Sequence, residues 1–173
     1  MVMNGTGHTD IPGEIFIRDA VMDDLHEIVR LEQLAFENPW TLDGYMKELE
    51  SHSSVLRVAV HGGRGGGIIG VICFRIVAGE GYLMKLHVAE RYRRQGVGSC
   101  MLRMFIDFCH SKGVGEVVLD VSASNLVARA FYAGKGFITA GHDAPSGVSS
   151  FIMTRRLNCG DSNASRTVDN TVF

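Results

Sequence analysis

The sequence predicts a mixed α/β sheet with helices on its flanks, and three features predict it. Apolar and polar residues alternate at a two-residue period in several short runs. Apolar residues recur near a 3.6-residue period in others, and glycine, proline or asparagine punctuates the joints between them. The resulting order is β-α-α-β-β-β-α-β-α-β-β, with one right-handed crossover between the strands at 80–89 and 115–121.

The elements follow in chain order. Residues 1–13 are polar and glycine-rich and are expected to form a flexible leader before a domain at 14–157. EIFIRDA alternates like a strand. Asp19 followed by MDDLHEIVRLEQLAF predicts a helix whose apolar stripe is Leu25, Ile28, Val29, Leu31 and Leu34. Asn38 and Pro39 break it, and the pair resembles a cap and first turn for a second helix, TLDGYMKELES. SSVLRVAVHG and IIGVICFRIVAG predict strands joined through GGRGGG into a hairpin, and GYLMKLHVAE predicts the next strand.

VGSCMLRMFIDFCHSKG places Val97, Cys100, Met101, Met104, Phe105 and Phe108 on one broad helical face, ending at Lys112 and Gly113. GEVVLDVSA is a strand, NLVARAFYAGKG a helix, FITAG a short edge strand and VSSFIMTRRL a closing strand. Residues 158–173 are small, polar and aperiodic, and a disordered tail is expected.

The chain has 173 residues, 46% of them hydrophobic and 21% charged, with a formal net charge of -2. A core of useful size is available without a metal or disulfide. This balance does not point to nucleic acid, and no apolar run is long enough to suggest a membrane span. Cys73, Cys100, Cys109 and Cys159 stand singly, without CxxC or finger spacing, so buried free thiols in a reducing compartment are expected, and no metal site. The first residues lack a basic region leading into an apolar one, which points to the cytoplasm.

RYRRQGVGSC, residues 91–100, sits at the joint between a strand and a helix. A helix starting near Gly96 has first-turn N–H groups without intrahelical partners, and glycines leave them uncovered. Such a terminus attracts phosphate, and the backbone around Arg94, Gln95, Gly96 and Gly98 can form a concave nest of donors with Arg93 and Arg94 adding charge. A surface turn carrying solvated arginines is the plainer alternative. Neither GxGxxG nor GxxxxGK[ST] is present.

HVAERYRRQGVGSCML resembles the acetyl-coenzyme A motif of the GNAT acetyltransferase superfamily, [Q/R]-x-x-G-x-[G/A], at Arg93, Gly96 and Gly98. LDVSASNLVARAFYAGKGF is similar to the family's following motif at Val121, Asn125, Ala128, Tyr132, Gly136 and Phe137. FENPW at 36–40 resembles a segment of the bacterial ribosomal-protein-alanine N-acetyltransferase subfamily. The resemblance spans about residues 15–157. It implies a GNAT-like, mostly antiparallel central sheet with a splayed central strand pair.

It also implies acetyl-CoA as cosubstrate, with pantetheine along Leu86, His87 and Val88 and the pyrophosphate on backbone amides of Arg94, Gln95, Gly96, Val97, Gly98 and Ser99. Asn125 and Ala128 would follow on the pantetheine side, where Asn125 also reads as a helix N-cap. Tyr132 matches the family tyrosine beside the coenzyme sulfur, the general acid. From the residues alone it reads as a core aromatic with a satisfied hydroxyl. A backbone N–H near Val88 would stabilise the oxyanion.

Asp120 stands where the subfamily carries Glu, one methylene shorter, and is a candidate base. His87 is a second candidate, or a buried hydrogen-bonded histidine. GHDAPSGVSSFIM lacks the subfamily's two tyrosines, and His142 and Asp143 are candidates to replace them. Glu32 is a candidate for binding a cationic acceptor, whereas Phe36 and Trp40 read as core aromatics. The expected acceptor is the N-terminal α-amine of a protein or peptide, a ribosomal protein among the candidates. A small amine or lysine side chain is one alternative, and a catalytically weak coenzyme A binding module another. Either a monomer or a homodimer is expected.

Overall fold

The structure is a computed structural model that describes residues 15–63, 66–143 and 149–157. The expected leader and tail, and Cys159, lie outside the described residues. The chain divides into two compact units, one built from residues up to Arg75 together with Leu83–Met104, the other from Ile76–Tyr82 and the residues from Phe105 onward.

The first unit opens with β1 (Ile15–Asp19), a short 3-10 turn (Met22–Asp24) and α1 (Leu25–Ala35). Then come α2 (Leu42–Glu50) and β2 (Ser54–His61), most of β3 (Gly67–Val77), the end of β4 (Glu80–Val88) and the start of α3 (Val97–Ser111). Its strands run in the order β1-β2-β3-β4. β1 and β2 pair antiparallel with Ile17 opposite Ala59, and β2 and β3 pair antiparallel with Val58 opposite Val71. A register shift between Ala59 and Val60 marks a bulge.

Leu25, Ile28 and Leu31 of α1, Tyr45 of α2 and Val58, Val60 and Val71 of the sheet make the core of this unit. Two details depart from the periodic pattern. Leu34, expected inside, is 75% exposed, while Glu32 is fully buried. The cap of α2 is Thr41, whose hydroxyl accepts from Gly44 N at 3.2 Å, so Asn38 and Pro39 precede the helix instead of starting it. Threonine supplies the side-chain oxygen that an orphan first-turn N–H needs. Gly70 fits a close approach, since a Cβ there would lie 2.9 Å from Met101 Sδ and 3.3 Å from the His87 carbonyl and would displace the methionine side chain.

In the second unit β3 turns into β4 through Ala78 and Gly79, both at positive φ (52° and 84°), as a tight hairpin turn demands. β5 (Glu116–Ser122), α4 (Leu126–Ala133), β6 (Ile138–Asp143) and β7 (Ser150–Arg156) follow, in the strand order β4-β5-β7-β6. β5 and β7 are antiparallel with Leu119 opposite Met153, and β6 is an edge strand antiparallel to β7. The fold is thus mixed α/β with a mostly antiparallel sheet and flanking helices, as expected.

The buried stripe of α3 is Val97, Met101, Leu102, Phe105, Ile106 and Cys109. It is rotated from the expected face: Cys100 is exposed and Met104 and Phe108 are only half-buried. Cys73 and Cys109 are buried free thiols, and the expectation of burial fails at Cys100. Among the described residues no helix is long and apolar enough to cross a membrane.

Candidate functional site

In the first unit β4 ends at Val88, and the chain reaches α3 through a 3-10 turn (Glu90–Tyr92) and residues 93–96. Two residues in this connection have left-handed backbone, Arg94 at φ 59° and Gly96 at φ 86°. Glycine adopts that region freely, whereas arginine does so at a cost. Alternation of left- and right-handed residues turns successive N–H groups to one side, which makes a donor nest. Among the described residues the backbone N–H groups of Arg94, Gln95, Gly96, Val97, Gly98 and Ser99 find no acceptor, and the first helical bond is Cys100 N to the Gly96 carbonyl at 2.9 Å.

The side chains around this nest hold its shape. Arg93 Nε donates to the Val88 carbonyl at 3.0 Å, tying the connection to the end of β4, and Gln95 Nε2 donates to the Arg91 carbonyl at 2.7 Å. Arg94 is exposed. The positive end of the α3 dipole, the unpaired donors and the arginines together suit a pyrophosphate. The residues present therefore fit the phosphate portion of acetyl-CoA.

On β4, Lys85 and His87 share one face and both meet Glu32 of α1. Glu32 Oε1 accepts from Lys85 Nζ at 2.7 Å and from Trp40 N at 3.1 Å, and Oε2 accepts from the Tyr45 hydroxyl at 2.9 Å. The carboxylate expected to take an acceptor's cation is thus inside the protein and already holds one from its own chain. Burial, and then the Glu32 charge, push the Tyr45 phenol far above its ordinary value.

His87 Nδ1 lies 3.4 Å from Glu32 Oε2 without forming a hydrogen bond, and neither ring nitrogen has a hydrogen-bond partner among the described residues. The hydrogen-bonded histidine expected here is therefore a correction: His87 is buried but unpaired. Its burial lowers the imidazole to about 4, against the opposing pull of Glu32, so the ring is neutral at ordinary pH. Leu86 is half-buried and Val88 is buried at the strand end.

In the second unit Asn125 caps α4, its Oδ1 accepting from Ala128 N at 3.0 Å, which leaves its amide nitrogen available. Tyr132 lies seven residues on, 8% exposed, packed edge-on against Phe131 and Phe137 with ring centroids 5.2 and 5.6 Å away. Among the described residues its hydroxyl has no hydrogen-bond partner. Burial pushes the phenol up to about 12, so it stays protonated.

Asp120 is exposed on β5, on the face opposite to buried Leu119 and Val121, and has no ion pair among the described residues. His142 is exposed on β6, where its Nε2 shares a hydrogen bond with Ser149 Oγ at 2.5 Å and its ring packs edge-on against Phe151. Lys85 is the participant that sequence reasoning missed. Its signal was available, since Leu83, Lys85 and His87 alternate onto the inward face of β4 while Glu32 interrupts an apolar helical stripe.

Residues 25–137 match the Acetyltransferase (GNAT) family. The chain is 30% identical over 114 residues to the [ribosomal protein bS18]-alanine N-acetyltransferase of Escherichia coli (strain K12), covering 66% of this chain and 74% of that one. The crystal structure of the ribosomal-protein-S18-alanine N-acetyltransferase from Escherichia coli superposes with a TM-score of 0.74 at 24% identity, covering 87% of this chain and 98% of that chain. The PaiA N-acetyltransferase of Thermoplasma acidophilum, solved in complex with coenzyme A, gives a TM-score of 0.72 at 20% identity over 83% of this chain and 99% of that chain. With the donor nest, the capped α4 and the protonated tyrosine all on matched residues, the chain belongs to the GNAT family of acetyltransferases.

Proposed function

We propose that the protein transfers the acetyl group of acetyl-CoA to the N-terminal α-amine of a protein or peptide. The observation that carries the coenzyme part is the run of unpaired N–H groups from Arg94 to Ser99 at the head of a 15-residue helix. The amine part rests on chemistry and on the relative named above, which acts on an alanine of a ribosomal protein. Near pH 7.5 about a third of unperturbed α-amines are neutral, against roughly a thousandth of lysine side chains. The reaction needs that lone pair.

In this reading the amine nitrogen attacks the thioester carbon, the carbonyl oxygen takes up negative charge, and the C–S bond then breaks. The nitrogen loses its proton as the amide forms, and the sulfur gains one on leaving. A free thiol has a pKa near 8.5. A phenol at about 12 therefore stabilises the departing sulfur by donating a hydrogen bond and does not surrender its proton outright. The proton that ends on sulfur derives from the attacking nitrogen. In this reading Asp120, exposed and without an ion pair among the described residues, accepts that proton from the nitrogen, directly or through water, before it reaches the sulfur.

The test uses two peptides of one sequence, one with a free α-amine and one with a blocked terminus and a free lysine. Acetylation at the α-amine, read by mass spectrometry, is the expected result, whereas acetylation at lysine alone would overturn the acceptor assignment. Tyr132→Phe should lower kcat roughly tenfold to a hundredfold with the KM for acetyl-CoA unchanged. Equal kcat in the two proteins would remove Tyr132 from the mechanism.

A further inference from the structure

Lys85 sits in surroundings that are normally built for a free cation. Its Nζ lies 2.7 Å from Glu32 Oε1, 4.4 Å from the centroid of the Phe36 ring and 5.0 Å from that of Trp40. A carboxylate and two aromatic faces around an ammonium are the composition of an amine-binding cage, in which the ring quadrupoles and one negative charge replace the water shell. The Lys85 side chain is 14% exposed and that of Glu32 fully buried. Beside them is the imidazole of His87, 6% exposed, with both nitrogens unpaired. Buried polar atoms without partners are rare in folded proteins and mark places where an additional polar group is accommodated.

We propose that this cage is an ammonium-binding site whose occupant is the chain's own Lys85, and that Lys85 thereby sets the charge selectivity of the protein by keeping cationic amines away from Glu32. The selectivity half rests on the acetyl-transfer reading above, whereas the cage itself does not. Two ammonium groups about 4 Å apart repel strongly in a site so little exposed to water, so a second cation cannot share the cage with Lys85. An amine that approaches this cage must then be neutral, as an α-amine can be at physiological pH. A polyamine, which carries further charges wherever its reacting nitrogen is placed, is disfavoured.

The experiment removes the tethered cation and offers a free one. Lys85→Ala deletes the side-chain atoms that n-propylammonium would replace, and n-propanol serves as the neutral control of equal size. The melting temperature of Lys85→Ala should rise saturably by roughly 5 °C with propylammonium and not with propanol, while the wild type responds to neither. Glu32→Gln in the Lys85→Ala background should abolish the response. Lack of a saturable response in Lys85→Ala, or an equal response in the wild type, would overturn the cage.

A second measurement needs no variant to fold. In the wild type the Lys85 ε-methylene protons should resonate upfield of other lysines, because Phe36 and Trp40 shield them, and ordinary shifts would also overturn the proposal. For selectivity, Lys85→Ala should gain roughly tenfold in kcat/KM for spermidine relative to the α-amine peptide. An unchanged ratio would refute Lys85 as the charge filter. If neither protein acetylates any amine, the transfer reading falls, and the propylammonium titration alone decides the cage.

Discussion

Glu32 and the turn from Arg94 to Ser99 are opposite solutions to the same problem. Both lie in the first unit, and both concentrate polar groups. Around Glu32 both carboxylate oxygens are taken by Lys85, Trp40 and Tyr45 of the same chain. Along Arg94–Ser99 six backbone donors go unclaimed among the described residues. A buried group left without a partner costs about 1–3 kcal/mol, a cost that Glu32 avoids and the neighbouring His87 does not. Donors at a helix terminus can wait for a ligand, since water serves them meanwhile. Under the proposed function, unmet hydrogen-bonding capacity, more than charge, marks the place for the cosubstrate.

The largest expected effect strikes the unmet side. Gly96 sits at φ 86°, where a side chain adds about 1–2 kcal/mol of strain, and a glutamate would also repel phosphate. Gly96→Glu should weaken acetyl-CoA binding by roughly a thousandfold in calorimetric titration, with the far-ultraviolet circular dichroism spectrum unchanged. Unaltered affinity would break the comparison, because the open donors would then serve no anion.

The next effect comes from the imidazole beside Glu32, the buried group there that lacks hydrogen-bond partners among the described residues. His87 is held neutral by burial, with its folded value lowered to about 4 against about 6.5 unfolded. A depressed histidine means that the unfolded chain binds the proton first, so stability is intact above pH 6.5 and falls as the pH drops towards 4. The wild type should lose about 3 kcal/mol more than His87→Leu across that window in urea unfolding. Parallel loss in the two proteins would show that His87 is hydrated and not confined.

The smallest effect on the fold should come from Asp120, an exposed carboxylate that has no ion pair among the described residues. Asp120→Asn should shift unfolding free energy by less than about 0.5 kcal/mol. It should nevertheless slow acetyl transfer roughly tenfold. Destabilisation without a change in turnover would place Asp120 with Glu32, as a structural carboxylate.

Much of this was legible in the residues. The order of strands and helices follows from alternation and 3.6-residue periodicity, and the glycine-rich joint at 96–98 announces open donors because no other residue leaves a first helical turn so bare. Asn125 reads as a cap from its place before LVARAFY, and its side chain does accept from Ala128 N. The start of α2 was harder to read: Asn38-Pro39 and Thr41 are both plausible caps, and only the path of the chain between α1 and α2 selects Thr41. The face of α3 shifted by about one position because a helix with apolar residues on most sides can bury more than one stripe, and its neighbours choose.

Local sequence by itself determined the elements, the donor turn and the tyrosine at a spacing that suits α4, since these depend on backbone sterics and on contacts a few residues apart. Tertiary structure alone decided that Glu32 goes in and Leu34 out, that Lys85 lies against Phe36 and Trp40, and that His87 is left unpaired. The physical reason is the range of the interaction. Burying a carboxylate is favourable only if a cation from elsewhere in the chain reaches it, and Lys85 stands 53 positions from Glu32, beyond the reach of any periodicity.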